Sequence, residues 1–315
     1  MSLVQNCDDD VLVVNTGTKG NKAMGPVAAL VFADISKEYT AADIAGDFLA
    51  KLTTDTAAAG KARIYPVFGQ LVPIRDIQNT VAANVKETFP DGSTAFVRNG
   101  LYTSVFVTKE GGECLGKIFF AMNGSALGFI AIDGNNQVKM RKLANGNFGF
   151  FPTNMIDAPL PTLASYTEVY KNAIELNYDP KYYVKQAAVL TSTQDLTGLQ
   201  GLIDVYLSKG TLVATTTKLR FYLRDLCCDG TLLADYATEA AHVNNFVVYN
   251  VTDSATITPS AAAVVSPTGE EPYVELTMTA QTSADVIRVS LAAAADLLAN
   301  DLPIEGADSI SITIP

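Results

Sequence analysis

From about Leu199 to the last residue, apolar and polar side chains alternate with a period of two, and few patterns leave a chain less freedom. Neighbouring side chains that need opposite surroundings belong on a pleated strand with one buried face. Ile203, Val205 and Leu207 alternate with Asp204, Tyr206 and Ser208, and Leu219, Phe221 and Leu223 with Arg220, Tyr222 and Arg224. "FVVYNV" and "AAVVS" follow. Val274, Leu276 and Met278 then flank Glu275 and Thr277, and Ile287, Val289 and Leu291 flank Arg288 and Ser290. "SISITIP" ends the chain with Ile310, Ile312 and Ile314 on one face. Seven short strands at regular spacing predict a β-sandwich.

The first 200 residues read differently. "VLVVN" (Val11–Asn15) and "VAALVFADI" are strand candidates on either side of a loop, "TGTKGNKAMGP". A helix is expected from Thr40, whose hydroxyl can cap the first turn with Asp43 three residues on. Ile44, Phe48, Leu49 and Leu52 form its apolar stripe, and Gly60 is its stop. Ile64–Gly92 carries Pro66, Pro73 and Pro90. Proline removes backbone donors, so this segment is unsuited to the middle of a sheet and reads as a long loop. In "DGSTAFVRNGLYTSVFV", Asn99-Gly100 predicts a tight hairpin turn. Phe96, Arg98, Tyr102, Ser104 and Phe106 there give neither a cleanly apolar nor a cleanly polar face. A second helix is expected over "GECLGKIFFAMNG", with Leu115, Ile118, Phe119 and Met122 on one side. A hairpin turning at Asp133–Asn136 and a half-buried strand, "NAIELNY", follow.

Charge marks the same division. Residues 1–200 hold 17 basic and 19 acidic side chains, and residues 201–315 hold 5 and 14. The expected domains are therefore 1–200 and 201–315. The net charge of −11 argues against a dedicated nucleic-acid binder, which needs cations to displace counterions from phosphate.

No catalytic set emerges. The one histidine, His242, excludes most triads and most histidine-based metal sites and reads as structural or surface. Cys7, Cys114, Cys227 and Cys228 form no C-x-x-C pair and read as free thiols. Gly20–Pro26 spaces its glycines like a phosphate loop but lacks the Lys-Ser/Thr that would follow. Asp8–Asp10 reads as a solvated terminus, and "DGNNQ" as a turn rather than a calcium loop. No carboxylate pair stands at a spacing suited to acid–base work. The expectation is a protein without catalytic residue, metal or cofactor. The polar N-terminus predicts no secretory signal, so the N-x-S/T tripeptides at Asn123 and Asn250 read as chance. The weakly polar run Ile118–Ile132 is too short for a membrane span, and no membrane insertion is expected.

The order of these elements resembles a known family. A helix, a Pro-broken segment, "NTVAANVKETFPDGSTAFVRNGLYTSVFV", "GECLGKIFFAMN", "FIAIDGNNQV", "NAIELNYD" and "LTGLQGLIDVYL" together resemble the tail tube (major tail) proteins of tailed bacteriophages, over roughly residues 10–210. "FVVYNVTDSATITPSAAAVVSPTGEEPYVELTMTAQTSADVIRVSLA" resembles the Ig-like modules appended to phage virion proteins. The resemblance implies a mainly β fold: a tail-tube-like β-sandwich or barrel with one or two flanking helices, plus a C-terminal Ig-like β-sandwich. It implies hexameric rings stacked into a tube, with copies of itself and other phage tail proteins as partners. DNA would be passing, non-specific cargo. The protein would be made in the host bacterial cytoplasm and reside in the virion. The residues expected at self-assembly contacts are Arg75, Asp76, Lys86, Glu87, Phe96, Arg98, Tyr102 and Phe106. The segment Ile64–Gly92 is expected to be mobile in a free subunit and ordered against a neighbour. Three alternatives stay open: a capsid or head-decoration protein, an Ig-like adhesin that binds a glycan or other surface polymer, and an enzyme of unrecognised type.

Overall fold

A computed structural model describes residues 5–6, 25–68, 73–109, 112–159, 169–226, 229–306 and 308–315, with no side-chain description at 5, 6, 114, 184 and 185. The expected strand Val11–Asn15 and its loop up to residue 24, Cys7, Asp8–Asp10, Cys227 and Cys228 lie outside the described residues, as does the Cys114 side chain. The chain is mainly β. It divides into two compact units, Met1–Gly201 and Leu202–Pro315.

The strands of the first unit are β1 (Val27–Asp34), β2 (Ile64–Phe68), β3 (Asp76–Val81), β4 (Val85–Thr88), β5 (Thr94–Arg98), β6 (Tyr102–Thr108), β7 (Leu127–Asp133), β8 (Gln137–Lys142), β9 (Phe151–Asp157), β10 (Asn172–Tyr178) and β11 (Ala187–Thr191). All but β4 and β5 join one antiparallel sheet, twelve-stranded among the described residues when three two-residue strands are included. β1 lies between β2 and β7. The other edge of β7 is shared. Phe129 pairs with Phe151 of β9, and Ile132 with Val138 of β8. The sheet forks there, one branch running β9-β10-β6-β3 and the other β8-β11.

The central strands are covered on both faces. Ala29, Val31 and Ala33 of β1 face one core and Leu30 and Phe32 the other. A strand buried on both sides needs a continuous apolar run, which "VAALVF" supplies. The first core is closed by α1 (Ala41–Ala45) and α2 (Phe48–Thr56), through Ile44, Phe48 and Leu52. The second is closed by α3 (Gly112–Ala121), through Leu115 and Phe119. A short α4 (Pro180–Lys185) adds Tyr182 and Tyr183 to it.

Several local expectations hold. Asp43 N donates to Thr40 Oγ1 at 3.1 Å and Thr40 N to Asp43 Oδ2 at 2.8 Å, a complete capping box. The hairpin between β7 and β8 turns where expected. Asp133 Oδ1 accepts from the amides of Asn135 and Gln137, each at 2.8 Å, and Oδ2 from Gly25 N at 2.7 Å. In β10, Ile174, Leu176 and Tyr178 are buried while the residues between them are half-exposed.

Others need correction. The expected single helix from Thr40 is two helices. Gly46 ends the first, and Asp47 caps the second by accepting from Ala50 N at 2.9 Å; α2 stops at Thr56, short of Gly60. A glycine followed by a good N-cap breaks a helix even within an unbroken apolar stripe. Ile118 does not share the buried face of α3 and is 46% exposed. Ile64–Gly92 is not a long loop. Pro66 lies in β2, which among the described residues pairs only with β1 and so stands at an edge, where a missing donor is tolerated. The rest contributes β3 and β4.

The second unit contains β12 (Ile203–Ser208), β13 (Lys218–Asp225), β14 (Phe246–Asn250), β15 (Ala255–Ile257), β16 (Ala261–Val265), β17 (Tyr273–Thr277), β18 (Val286–Leu291), β19 (Ile304–Glu305) and β20 (Ile310–Thr313). They form two sheets, β16-β17-β13-β12-β19 and β15-β14-β18-β20. Both fill one core: Leu219, Phe221 and Val274 come from the first sheet, and Val248, Val289 and Ile312 from the second. This is a two-sheet sandwich. β15 and β19 add to the seven expected strands, and two short helices, α5 (Ala237–Ala240) and α6 (Ala294–Leu298), appear where no helix was expected. Ala240 and Leu297 reach the core from them, and segments this short show no helical period in sequence.

Candidate self-assembly surface

The feature that stands apart from either core is a two-stranded arm. β3 pairs with β6 from Asp76↔Val107 to Val81↔Tyr102. The pairing continues through Ala82 N, which donates to Leu101 O at 3.0 Å, and then through β4 and β5, from Val85↔Arg98 to Thr88↔Thr94. Phe89 N donates to Ser93 O at 2.8 Å and closes the tip. Gly92 takes φ +83° there, and Asp91 Oδ1 accepts from Ser93 N and Oγ at 2.8 and 2.6 Å. Those two hydrogen bonds hold the Asp91 carboxyl below its ordinary value.

This corrects the expected turn at Asn99-Gly100. That dipeptide lies on the return strand, and β5 and β6 do not pair with each other. Gly100 is needed for a different reason. A Cβ there would stand 1.8 Å from Ala82 O, so only glycine lets the two strands approach. Asn84 Oδ1 accepts from Gly100 N at 3.0 Å and braces the crossing.

Beyond Val81 the arm leaves the sheet. At about 3.3 Å per residue, eight positions carry the tip roughly 25 Å outward. Both faces of its outer half are exposed. Lys86 and Phe96 share one face, and Glu87 lies opposite Ala95 on the other. Phe96 is 59% exposed, Val97 54% and Val81 63%, with Val85 and Phe89 also exposed. Among the described residues β4 and β5 pair only with each other, and β3 ends its branch of the sheet. The arm therefore presents open strand edges along with its apolar side chains.

Six of the eight expected contact residues are exposed along the arm and its base: Arg75, Asp76, Lys86, Glu87, Phe96 and Arg98. The other two belong to the subunit's own interior. Phe106 is 4% exposed, with its ring 6.4 Å from that of Phe68, and is not available to a neighbour. Tyr102 is half-buried, edge-on to Tyr178 at 5.9 Å. They turn inward because β6 has the second core on one face, with Ser104, Phe106 and Thr108 all buried. Val81, Val85, Phe89 and Val97 were missed. The readable signal was Phe96-Val97, adjacent apolar residues that cannot both face one core.

Chemistry-bearing clusters are few. Among the described residues no group of three or more His, Cys, Asp or Glu side chains could hold a metal ion. His242 is exposed at the head of a 3-10 turn. A surface depression of about 580 Å³ in the first unit is lined by Pro26, Val27, Pro73, Ile74, Asn135 and Asp195. Its carboxylate is engaged by Thr197 N and Oγ1 at 3.0 and 2.6 Å. Among the described residues no helix is long and apolar enough to cross a membrane. No protein-family model matches the chain, and no curated protein matches it.

Proposed function

We propose that the chain is a self-assembling structural protein of a phage virion, forming hexameric rings that stack into a tail tube for DNA passage. One observation carries the self-assembly reading: an arm whose outer half has exposed apolar side chains on both faces and, among the described residues, pairs with nothing beyond itself. A two-stranded ribbon is marginal in water unless something covers it, and exposed strand edges are templates for pairing with another chain. The ordered elements that resemble tail tube proteins support the narrower reading, in which the arm from one ring contacts the next. The C-terminal sandwich is then an outward Ig-like decoration, and its acidic surface would keep particles apart.

The test is electron microscopy of the purified full chain in negative stain, with light scattering across a concentration series. Hollow tubes or six-membered rings are expected. A compact monomer at all concentrations overturns the proposal.

A further inference from the structure

The outer face of the five-stranded sheet in the second unit has an unusual composition. This unit holds five tyrosines and five basic residues against fourteen acidic ones. Three of those tyrosines and three of those basic residues share this one face. Because Val205, Leu207, Leu219, Phe221, Leu223 and Val274 point into the core, the residues between them point out. Tyr206 thus stands on β12, Lys218, Arg220, Tyr222 and Arg224 on β13, and Tyr273 on β17. The opposite sheet offers only the pair Arg288 and Tyr249, 5.3 Å apart.

These groups are held in place. Arg224 grips Glu271 with two hydrogen bonds of 3.0 and 2.6 Å, and its guanidinium lies 4.9 Å from the Tyr222 ring. That ring also packs close to Gly210, where a Cβ would come within 2.6 Å of it. Lys218 Nζ and Arg220 Nε both donate to Glu275, at 2.5 and 2.8 Å. Tyr206 donates its hydroxyl to Asp229, which also accepts from Arg224 at 3.2 Å. Three cations thus meet three carboxylates, and with Asp204 of β12 and Glu305 of β19, which pair side by side on the same face, the face is mildly acidic. The terminal nitrogens of Arg220 make no hydrogen bond among the described residues, so their donors stay available.

We infer that this face binds a neutral, hydroxyl-rich polysaccharide chain. Tyrosine rings offer an apolar face to the C–H side of a sugar, and fixed guanidinium–carboxylate pairs offer donors and acceptors to its hydroxyls. A mildly acidic face, with each of its cations already paired, gives no long-range attraction to a polyanion. An open sheet face suits an extended polymer rather than a small molecule, which needs a concave pocket. A protein partner would call for a desolvated apolar anchor at the centre, and Lys218, Arg220, Tyr222 and Glu275 provide none. The inference does not rest on the assembly reading, since the arm belongs to the other unit.

The test is affinity electrophoresis of the full chain in native gels cast with dextran, mannan or hydroxyethyl cellulose, alongside dextran sulfate. Retardation by at least one neutral polymer is expected. Tyr222→Ala and Tyr273→Ala should each weaken it at least tenfold, and Tyr249→Ala on the opposite sheet should leave it unchanged. Arg220→Gln, which removes donors while sparing the rings, should weaken it too and guards against misfolding of a tyrosine variant. The inference is overturned if no neutral polymer retards the protein, if retardation survives loss of both tyrosines, or if dextran sulfate alone retards it.

Discussion

Replacing Phe96 by alanine separates a contact residue from a merely exposed one. The ring is 59% exposed on the outer half of the arm. A phenylalanine side chain can bury roughly 200 Å², so about 120 Å² remains for a neighbour to cover. At about 25 cal/mol per Å² this is about 3 kcal/mol, or roughly a hundredfold in the dissociation constant of each contact. The variant subunit should keep its own stability within about 0.5 kcal/mol, because a ring that touches little in the monomer supports little there. Sedimentation velocity over a hundredfold concentration range reads the association, and chemical denaturation reads the fold. The expected result is an assembly threshold raised by about two decades with an unchanged unfolding midpoint. If Phe96→Ala assembles at the parent's concentration, the ring is not a contact and the case built on the arm collapses.

Gly100→Ala should disorder the arm alone, because its Cβ would stand 1.8 Å from Ala82 O; hydrogen exchange should rise over residues 82–101 and stay low in β1 and β7. Asp55 is buried between Lys37 and Lys51, at 2.8 and 3.0 Å. Asp55→Ala should therefore cost about 3 kcal/mol or more by leaving Lys37 unpaired and largely buried, while Lys51→Ala, at a 41% exposed side chain, should cost under about 1, both read from urea midpoints. Burial lowers Lys139 from 10.5 to about 8, so between those values the unfolded chain binds the extra proton and stability rises with pH. The gap corresponds to about 3 kcal/mol, of which the Tyr183 ring, 3.5 Å from Nζ, returns about 1–2. Lys139→Met should thus be the more stable protein at pH 7 and lose part of that advantage by pH 9.5, still below the unfolded pKa; an equal gap at both pH values contradicts the account. Higher pH is uninformative, because burial pushes the phenols of Tyr39, Tyr178 and Tyr183 above their ordinary value, which favours unfolding once they ionise in the unfolded chain. Residues 1–201 and 202–315 should each fold alone, whereas a cut at 212 would leave β12 apart from its partner β13, an outcome visible by circular dichroism.

What the sequence determined by itself was local. Period-two alternation placed the strands of the second unit and told which side chain of each faces inward, because the pleat makes that a property of adjacent residues. The Thr40–Asp43 capping box and the turn at Asp133–Asn136 were equally legible, each being closed by groups a few residues apart. The change of pattern near Leu199 falls beside the division at Gly201. Only the tertiary structure decided which strands pair. Alternation along β6 says that Phe106 and Tyr102 share a face. It does not say that β10 pairs alongside β6 or that the second core lies under that face, so two expected contact residues became interior ones. Asn99-Gly100 shows the same limit from the other side. A glycine that permits a turn and a glycine that permits close strand approach are identical in one dimension. The partner that distinguishes them, Ala82, is brought near only when the arm closes at Phe89–Ser93. Strand pairing joins residues far apart in the chain, and the energy that selects among registers is the burial of whole faces, which no short window contains.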